Sequence, residues 1–213
     1  MKVTFAYDKQ KDVWCLLNKG KNSSNSAQPT KQYQELVAFV GENPTEITTT
    51  DFIDKYITDN NIDTSASITE YQSEWNTIAE EYQKRAEAVF GVTLPHDITA
   101  YLSINSRSPY NLQQNYFFIA VPATSARKTA MHELWHFYTW QKFGQEWEDK
   151  LGKQKYNDTK ESLTVLLNVE CKDLLPEGVE DAGYPQHQEL RKRIETLWAK
   201  DPNINHLWAQ LGQ

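Results

Sequence analysis

The sequence predicts an α+β fold on three observations. A continuous amphipathic pattern runs over residues 67–90, strand-forming residues cluster at 92–94, 98–104 and 116–121, and a widely apolar helical stretch begins near Ala126. With 213 residues, the chain is long enough to bury roughly 70% of its unfolded surface without disulfide staples.

Residues 2–7 and 13–17 alternate weakly around Asp8-Lys9-Gln10-Lys11-Asp12, which predicts a β-hairpin. A polar loop at 19–30, rich in Ser and Asn, leads to two modest helices at about 31–40 and 49–59. Thr49 or Thr50 would cap the second helix and Asp59-Asn60-Asn61 would end it. Residues 1–62 are therefore expected to form an N-terminal extension packed on a core domain of residues 63–213. In that domain Ser67 and Glu70 have the spacing of a capping box, and Ile68, Tyr71, Trp75, Ile78, Tyr82 and Val89 recur at three- and four-residue steps. One long core helix is predicted, followed after Gly91 by the strand-forming runs, with a polar loop at 105–115 between the last two.

Thr124 and Ser125 are capping candidates for the next helix, and Gly144 supplies a stop. Between them Ala126, Ala130, Leu134 and Phe137 form one apolar line and Met131, Trp135 and Tyr138 another, so this helix must be buried. Inside it lies His132-Glu133-Leu134-Trp135-His136. On a helix the two histidines stand one turn apart, with Cβ atoms roughly 5–6 Å from each other, and both imidazoles can reach one ion. Glu133, about 100° further round, lies beside that ion's open position, where a base takes a proton from water attacking a carbonyl. The pattern points to a zinc hydrolase, with a peptidase first among such enzymes. The alternative is a buried helix whose histidines merely bond to neighbours, but two imidazoles and a carboxylate are costly to bury without a shared partner. Trp135, Tyr138 and Trp140 read as packing on this helix rather than as a ligand cage.

Composition narrows the remaining classes. Hydrophobic residues make up 39% of the chain, with seven Trp and eleven Tyr, and the mean hydropathy of −0.71 suits a globular protein with an aromatic interior. A net charge of −7 and a pI near 5.3 disfavour nucleic acid and anionic membrane as partners, and the peptide or protein substrate expected here comes from the motif of residues 132–136. Cys15 and Cys171 are far apart and outside any CxxC spacing, so free thiols are expected. The first ten residues lack the apolar run of a signal peptide, which gives a cytoplasmic expectation. Nothing in the sequence fixes an oligomeric state.

A long helix, strands, a strand ending just before the HExxH helix, and then mostly helix resembles the zincin metallopeptidases over about residues 67–175, in particular the gluzincin branch of thermolysin-type and aminopeptidase-N-type enzymes. The resemblance implies a small mixed sheet backed by the long helix, an edge strand at 116–121 holding an extended substrate, a Zn²⁺ cofactor, and a third ligand from a later helix. The longer HExxHxxGxxH pattern is absent, since no histidine follows His136 at that spacing. Residues 157–168 read as the later helix, with Asp158 as N-cap and Glu161 as the ligand, 24 residues intervening after His136. Asp158 and Glu161 also have capping-box spacing, and Glu170 is the rival ligand. Where thermolysin-type enzymes place an aspartate four residues after the ligand glutamate, this chain has Val165, so support for a metal histidine must come from elsewhere; Thr164 and Asn168 are candidates.

Transition-state donors are sought after the metal helices. Tyr184 and His187 flank Pro185 at the start of a helix through Leu190, Ile194 and Trp198 and are the candidates, while His96 and His206 lie where nothing converges. The expected function is zinc-dependent peptide hydrolysis with His132, His136 and Glu161 on the ion and Glu133 as base. The alternatives are an inactive metallopeptidase-like module that binds a peptide or protein, which the intact Glu133 disfavours, and a deformylase-like hydrolase, whose cysteine context is missing.

Overall fold

The computed structural model describes residues 1–22 and 28–212, so residues 23–27 of the polar loop expected at 19–30 lie outside the described residues. The chain forms two compact units, Met1–Thr77 with His96–Thr129 and Ile78–Pro95 with Ala130–Gln213.

The first unit holds one mixed four-stranded sheet of β1 (Val3–Tyr7), β2 (Ile98–Ser103), β3 (Tyr110–Asn111) and β4 (Tyr116–Ala120), in the order β1-β2-β4-β3. β1 and β4 both run parallel to β2, with Phe5 opposite Ala100 and Ala100 opposite Phe117, and β3 pairs antiparallel with β4. β4 is therefore not the free edge that the resemblance implied. Tyr110 and Asn111 pair with Phe117 and Tyr116, and the Pro109 carbonyl accepts the Phe118 amide.

The hairpin expected at 2–7 and 13–17 does not form. Residues 3–7 are β1, but the Asp8 side chain accepts from the amides of Gln10 and Lys11 and so caps α1 (Lys9–Cys15). Capping turns what looked like alternation into a helical face that buries Asp12, Val13 and Cys15. The helices α2 (Lys31–Val40) and α3 (Glu46–Asp59) appear where the pattern placed them, although α3 starts earlier, because Thr45 rather than Thr49 or Thr50 is its cap and forms a box with Thr48.

The helix expected over 67–90 is two helices, α4 (Thr64–Asn76) and α5 (Ala79–Phe90). Asp63 caps α4, not Ser67, so Ser67 and Glu70 lie inside it. The break comes at Thr77, whose hydroxyl and amide both turn back to the Glu74 carbonyl, and at Ile78, which leaves helical geometry at φ −123°. α4 serves β1: Gln72 accepts the Phe5 amide and donates to the Val3 carbonyl, standing in for a neighbouring strand on an exposed sheet edge. The residues 92–94, rich in strand formers, are not a strand.

The second unit is helical. α6 (Ala126–Leu151) begins just after Ser125, whose hydroxyl accepts the Lys128 amide, and kinks at Gly144, where φ +44° is conformationally cheap only for glycine. The apolar lines foreseen for it are buried: Ala130, Met131, Leu134, Trp135, Phe137 and Tyr138. Against them packs α5, with the Phe90 ring 4.9 Å from Trp135 edge-on and 5.8 Å from Tyr138 face-on, and the Tyr82 hydroxyl donating to the Met131 carbonyl at 2.8 Å. α7 (Lys153–Leu163), a 3₁₀ turn (Thr164–Leu166) and the short α8 (Leu167–Glu170) follow, then α9 (Gln188–Lys200) and α10 (Ile204–Leu211). Trp208 of α10 stacks on Phe143 at 4.1 Å and meets Tyr156 of α7 at 5.8 Å. Burial of large rings such as these is worth about 1.5–3 kcal/mol per side chain, and it fixes α7 against α6. No helix among the described residues is long and apolar enough to cross a membrane.

Candidate metal centre

His132 and His136 project from α6 at the spacing of one turn, and their Nε2 atoms lie 3.0 Å apart. From the last turn of α7, Glu161 places Oε2 3.7 Å from the first and 3.5 Å from the second. A circle through these three atoms has a radius of about 2.0 Å, which matches the length of a zinc bond to nitrogen or oxygen, about 2.0–2.2 Å. Among the described residues this is the group of His, Cys, Asp and Glu side chains that could hold a metal ion. His136 and Glu161 are buried, and the His132 side chain is only 20% exposed.

The local fold explains why Glu161 arrives there. α7 starts at Lys153 behind Gly152, so Asp158 is mid-helix rather than an N-cap, and the capping box that would have occupied Glu161 does not exist. Glu170, the rival ligand, accepts the Trp198 indole N–H at 2.6 Å instead.

Support for the histidines comes from a residue that sequence reasoning missed. Asp181 Oδ2 lies 2.6 Å from His132 Nδ1, and a carboxylate can only accept, so Nδ1 carries a proton and Nε2, facing Glu161 and His136, is the nitrogen left for a metal. Thr164 and Asn168, the expected supports, act one step further out. The Thr164 hydroxyl is 2.8 Å from Asp181 Oδ1, and the Asn168 side chain exchanges two hydrogen bonds with the Asp181 backbone. Arg191 closes the network, pairing with Asp181 Oδ1 at 3.0 Å and donating to Thr164 and to the Asp181 carbonyl. Gly183, at φ +62°, leaves room for that guanidinium, since a Cβ there would stand 2.6 Å from Arg191 Nη1.

Electrostatics follow from this crowding. Burial opposes a charge on His132, but Asp181, then Glu161 and Glu133, outweigh it and raise the ring to about 10. Burial and the neighbouring Lys160 push His136 down to about 3. Glu161 and Asp181 are desolvated as well, yet the His136 and His132 rings, with Lys160 and Arg191, hold them well below the usual carboxylate range. Burial raises Glu133 to about 8, with Glu161 adding to the effect against the pull of His132 and Lys160. No hydrogen bond or ion pair holds its carboxylate among the described residues. A dication between the imidazoles would favour the charged form of every one of these carboxylates.

The two remaining candidates also belong to the second unit. His187 is buried in the Pro185–His187 turn with Nε2 3.1 Å from Asp158 Oδ1, and the Tyr184 ring, about one-third exposed, meets its imidazole edge-on at 5.6 Å. His206 is exposed and pairs with Asp201. Comparison of the chain with protein-family models, curated proteins and solved structures finds no match. The chemistry is therefore argued from the atoms of the site.

Proposed function

We propose that this chain is a zinc-dependent hydrolase of peptide bonds, with His132, His136 and Glu161 as the metal ligands and Glu133 as the general base. The observation that carries this reading is the triangle of two Nε2 atoms and one Oε2 on a circle of about 2.0 Å radius, with the His132 tautomer already fixed by Asp181. Hydrogen bonding alone accounts for it poorly, because Glu161 Oε2, 3.7 and 3.5 Å from the two rings, lies at or beyond the limit of a hydrogen bond to either. When bound, zinc polarises a carbonyl and acidifies a water molecule.

The protein's own part follows from its side chains. Asp181, anchored by Arg191, keeps the Nδ1 proton on His132 and so leaves Nε2 as the nitrogen that a metal would take in place of a proton. Glu133, adjacent to His132 on α6 and without a fixed partner, is the group able to take a proton from the attacking water and pass it to the leaving amine. Tyr184, at the entry to the 185–187 turn, is the donor assigned to the developing oxyanion, with His187 and Asp158 bracing that turn. A cytoplasmic setting belongs to the same reading, which two free, buried thiols accommodate.

The test begins with metal content. The purified chain should hold about one zinc, lost in a His132→Ala/His136→Ala variant. The same protein should generate new termini in a mixture of unfolded polypeptides, read by mass spectrometry, and Glu133→Gln should keep the metal while losing the cleavage. Zinc bound with no cleavage by wild type would replace this reading with that of a peptide-binding module, and no zinc would end both.

A further inference from the structure

Lys160 is the one buried lysine among the described residues, 4% exposed, and its position is not what helix geometry would give it. Residues adjacent on a helix point about 100° apart and do not face each other, and lysine normally carries its ammonium out to water. Here the side chain folds inward and brings Nζ to 2.8 Å from Oε1 of its neighbour Glu161. The other oxygen, Oε2, faces His132 and His136 at 3.7 and 3.5 Å. The two oxygens of one carboxylate are thus committed to different partners.

That division matters because a carboxylate can bind a cation through one oxygen or both. A catalytic zinc keeps one position for water or substrate beside three protein ligands, and a second bond from Glu161 would crowd that position by raising the shell from four ligands to five. The charges at the site show the same division. Three carboxylates are buried there, Glu133, Glu161 and Asp181, with two buried cations, Lys160 and Arg191. Arg191 pairs with Asp181 and Lys160 with Glu161, and Glu133, the carboxylate that has to move a proton, is left without a dedicated cation.

We propose that Lys160 is a positioning residue that reserves Oε1 of Glu161, restricts that glutamate to a single metal bond, and so keeps a coordination position open. The proposal rests on the zinc-hydrolase reading above and names a device within that site.

Zinc and cobalt(II) are the probes, applied to the full chain after removal of metal. Metal content is measured first, so a wild-type protein that binds neither ion removes the underlying reading before Lys160 is tested. In the zinc-loaded protein, X-ray absorption should count roughly four ligands in wild type and in Lys160→Arg, and roughly five in Lys160→Met, where the freed oxygen reaches the ion. The cobalt(II) visible bands should weaken in Lys160→Met as coordination rises and stay at wild-type intensity in Lys160→Arg. An unchanged shell and spectrum in Lys160→Met overturns the proposal. Should that variant not fold, the zinc-loaded wild-type crystal structure decides: Nζ still on Oε1 with the metal on Oε2 alone supports the proposal, and both oxygens on the metal overturns it.

Discussion

Replacing Asp181 with Asn changes one atom, yet every hydrogen-bonding direction around it resists the change. Oδ2 accepts from His132 Nδ1 at 2.6 Å, and Oδ1 faces Arg191 Nη2 at 3.0 Å and the Thr164 hydroxyl at 2.8 Å. Both positions require an acceptor, and Asn supplies only one. An amide N–H₂ turned toward a guanidinium meets donors and a positive charge, so the amide oxygen should go to Arg191 and the N–H₂ to His132. That forces the imidazole to accept at Nδ1 and to carry its proton on Nε2, the atom that faces Glu161 and His136. Loss of such support costs about 10–100-fold in metal affinity, or about 1.4–2.7 kcal/mol. The variant also leaves Arg191 buried without its counter-charge, at about 3–5 kcal/mol of stability, so the measurement belongs at low temperature on protein shown to be folded. Zinc competition with a chromophoric chelator gives the affinity, and ¹⁵N shifts of the imidazoles, followed as the metal-free protein is titrated through the His132 transition near pH 10, give the tautomer. A folded Asp181→Asn protein that binds zinc within about threefold of wild type, with Nδ1 of His132 still protonated, would refute the reasoning.

Three further outcomes are expected. Gly183→Ala should lose about 1–2 kcal/mol from its φ of +62° alone and weaken zinc binding as well, since the new Cβ displaces Arg191; thermal unfolding and the same competition assay check it. Zinc at about a thousand times its dissociation constant should stabilise the wild-type chain by about 4 kcal/mol and raise its melting temperature, an effect that a chelator reverses and that His132→Ala/His136→Ala lacks. Burial raises the Asp12 carboxyl from 3.8 to about 7: Oδ1 takes the Ser103 hydroxyl and the Ile104 amide, but Oδ2 has only the Tyr7 hydroxyl nearby, outside hydrogen-bond geometry. The folded state therefore favours protonated Asp12, and the stability this gives is lost as pH climbs from about 4 to about 7. Asp12→Asn should remove that slope and exceed wild type by up to about 4 kcal/mol at pH 8, and parallel denaturant-derived pH profiles for the two proteins would show the idea wrong.

What the sequence revealed of the fold was its local periodicity. The apolar lines of α6 and the recurring residues of α4 and α5 each state a buried face within a few turns, and those faces are buried except at the ends of the second, where Ile68 and Val89 are half-buried. It misled where a single polar side chain overrides periodicity. Residues 2–17 alternate well enough for a hairpin, but Asp8 bonds to two amides ahead of it and commits the next turn to helix. Likewise Tyr71, Trp75, Ile78 and Tyr82 keep helical spacing straight through a break made by the Thr77 hydroxyl on the Glu74 carbonyl. Competition of this kind between side chain and backbone leaves hydrophobic spacing untouched, so a reading of spacing alone does not register it.

The site divides in the same way. His132, Glu133 and His136 are legible because one turn of helix determines their relation, and Glu161 because an expected order of elements says where to look for a carboxylate. Asp181 offered no such handle: it lies 49 residues from the histidine it supports, in a loop where Glu177 and Glu180 look equally suitable. The clue that does exist is conditional. Once a metal histidine is postulated, its second nitrogen needs an acceptor, and an acidic residue followed by a glycine and then by an arginine on the next helix is a chain segment able to deliver one with its own counter-charge. Lys160 was hidden for the opposite reason, since a lysine beside a glutamate on a helix reads as solvent-facing by default, and only its burial shows that its ammonium is turned to Glu161 of the candidate metal centre rather than to the surface. Residues that bond directly to an ion are constrained by its size and can be found by spacing. Those that hold the ligands in place are constrained only through tertiary structure, and in this chain they come from a loop and two helices that the spacing rules do not connect.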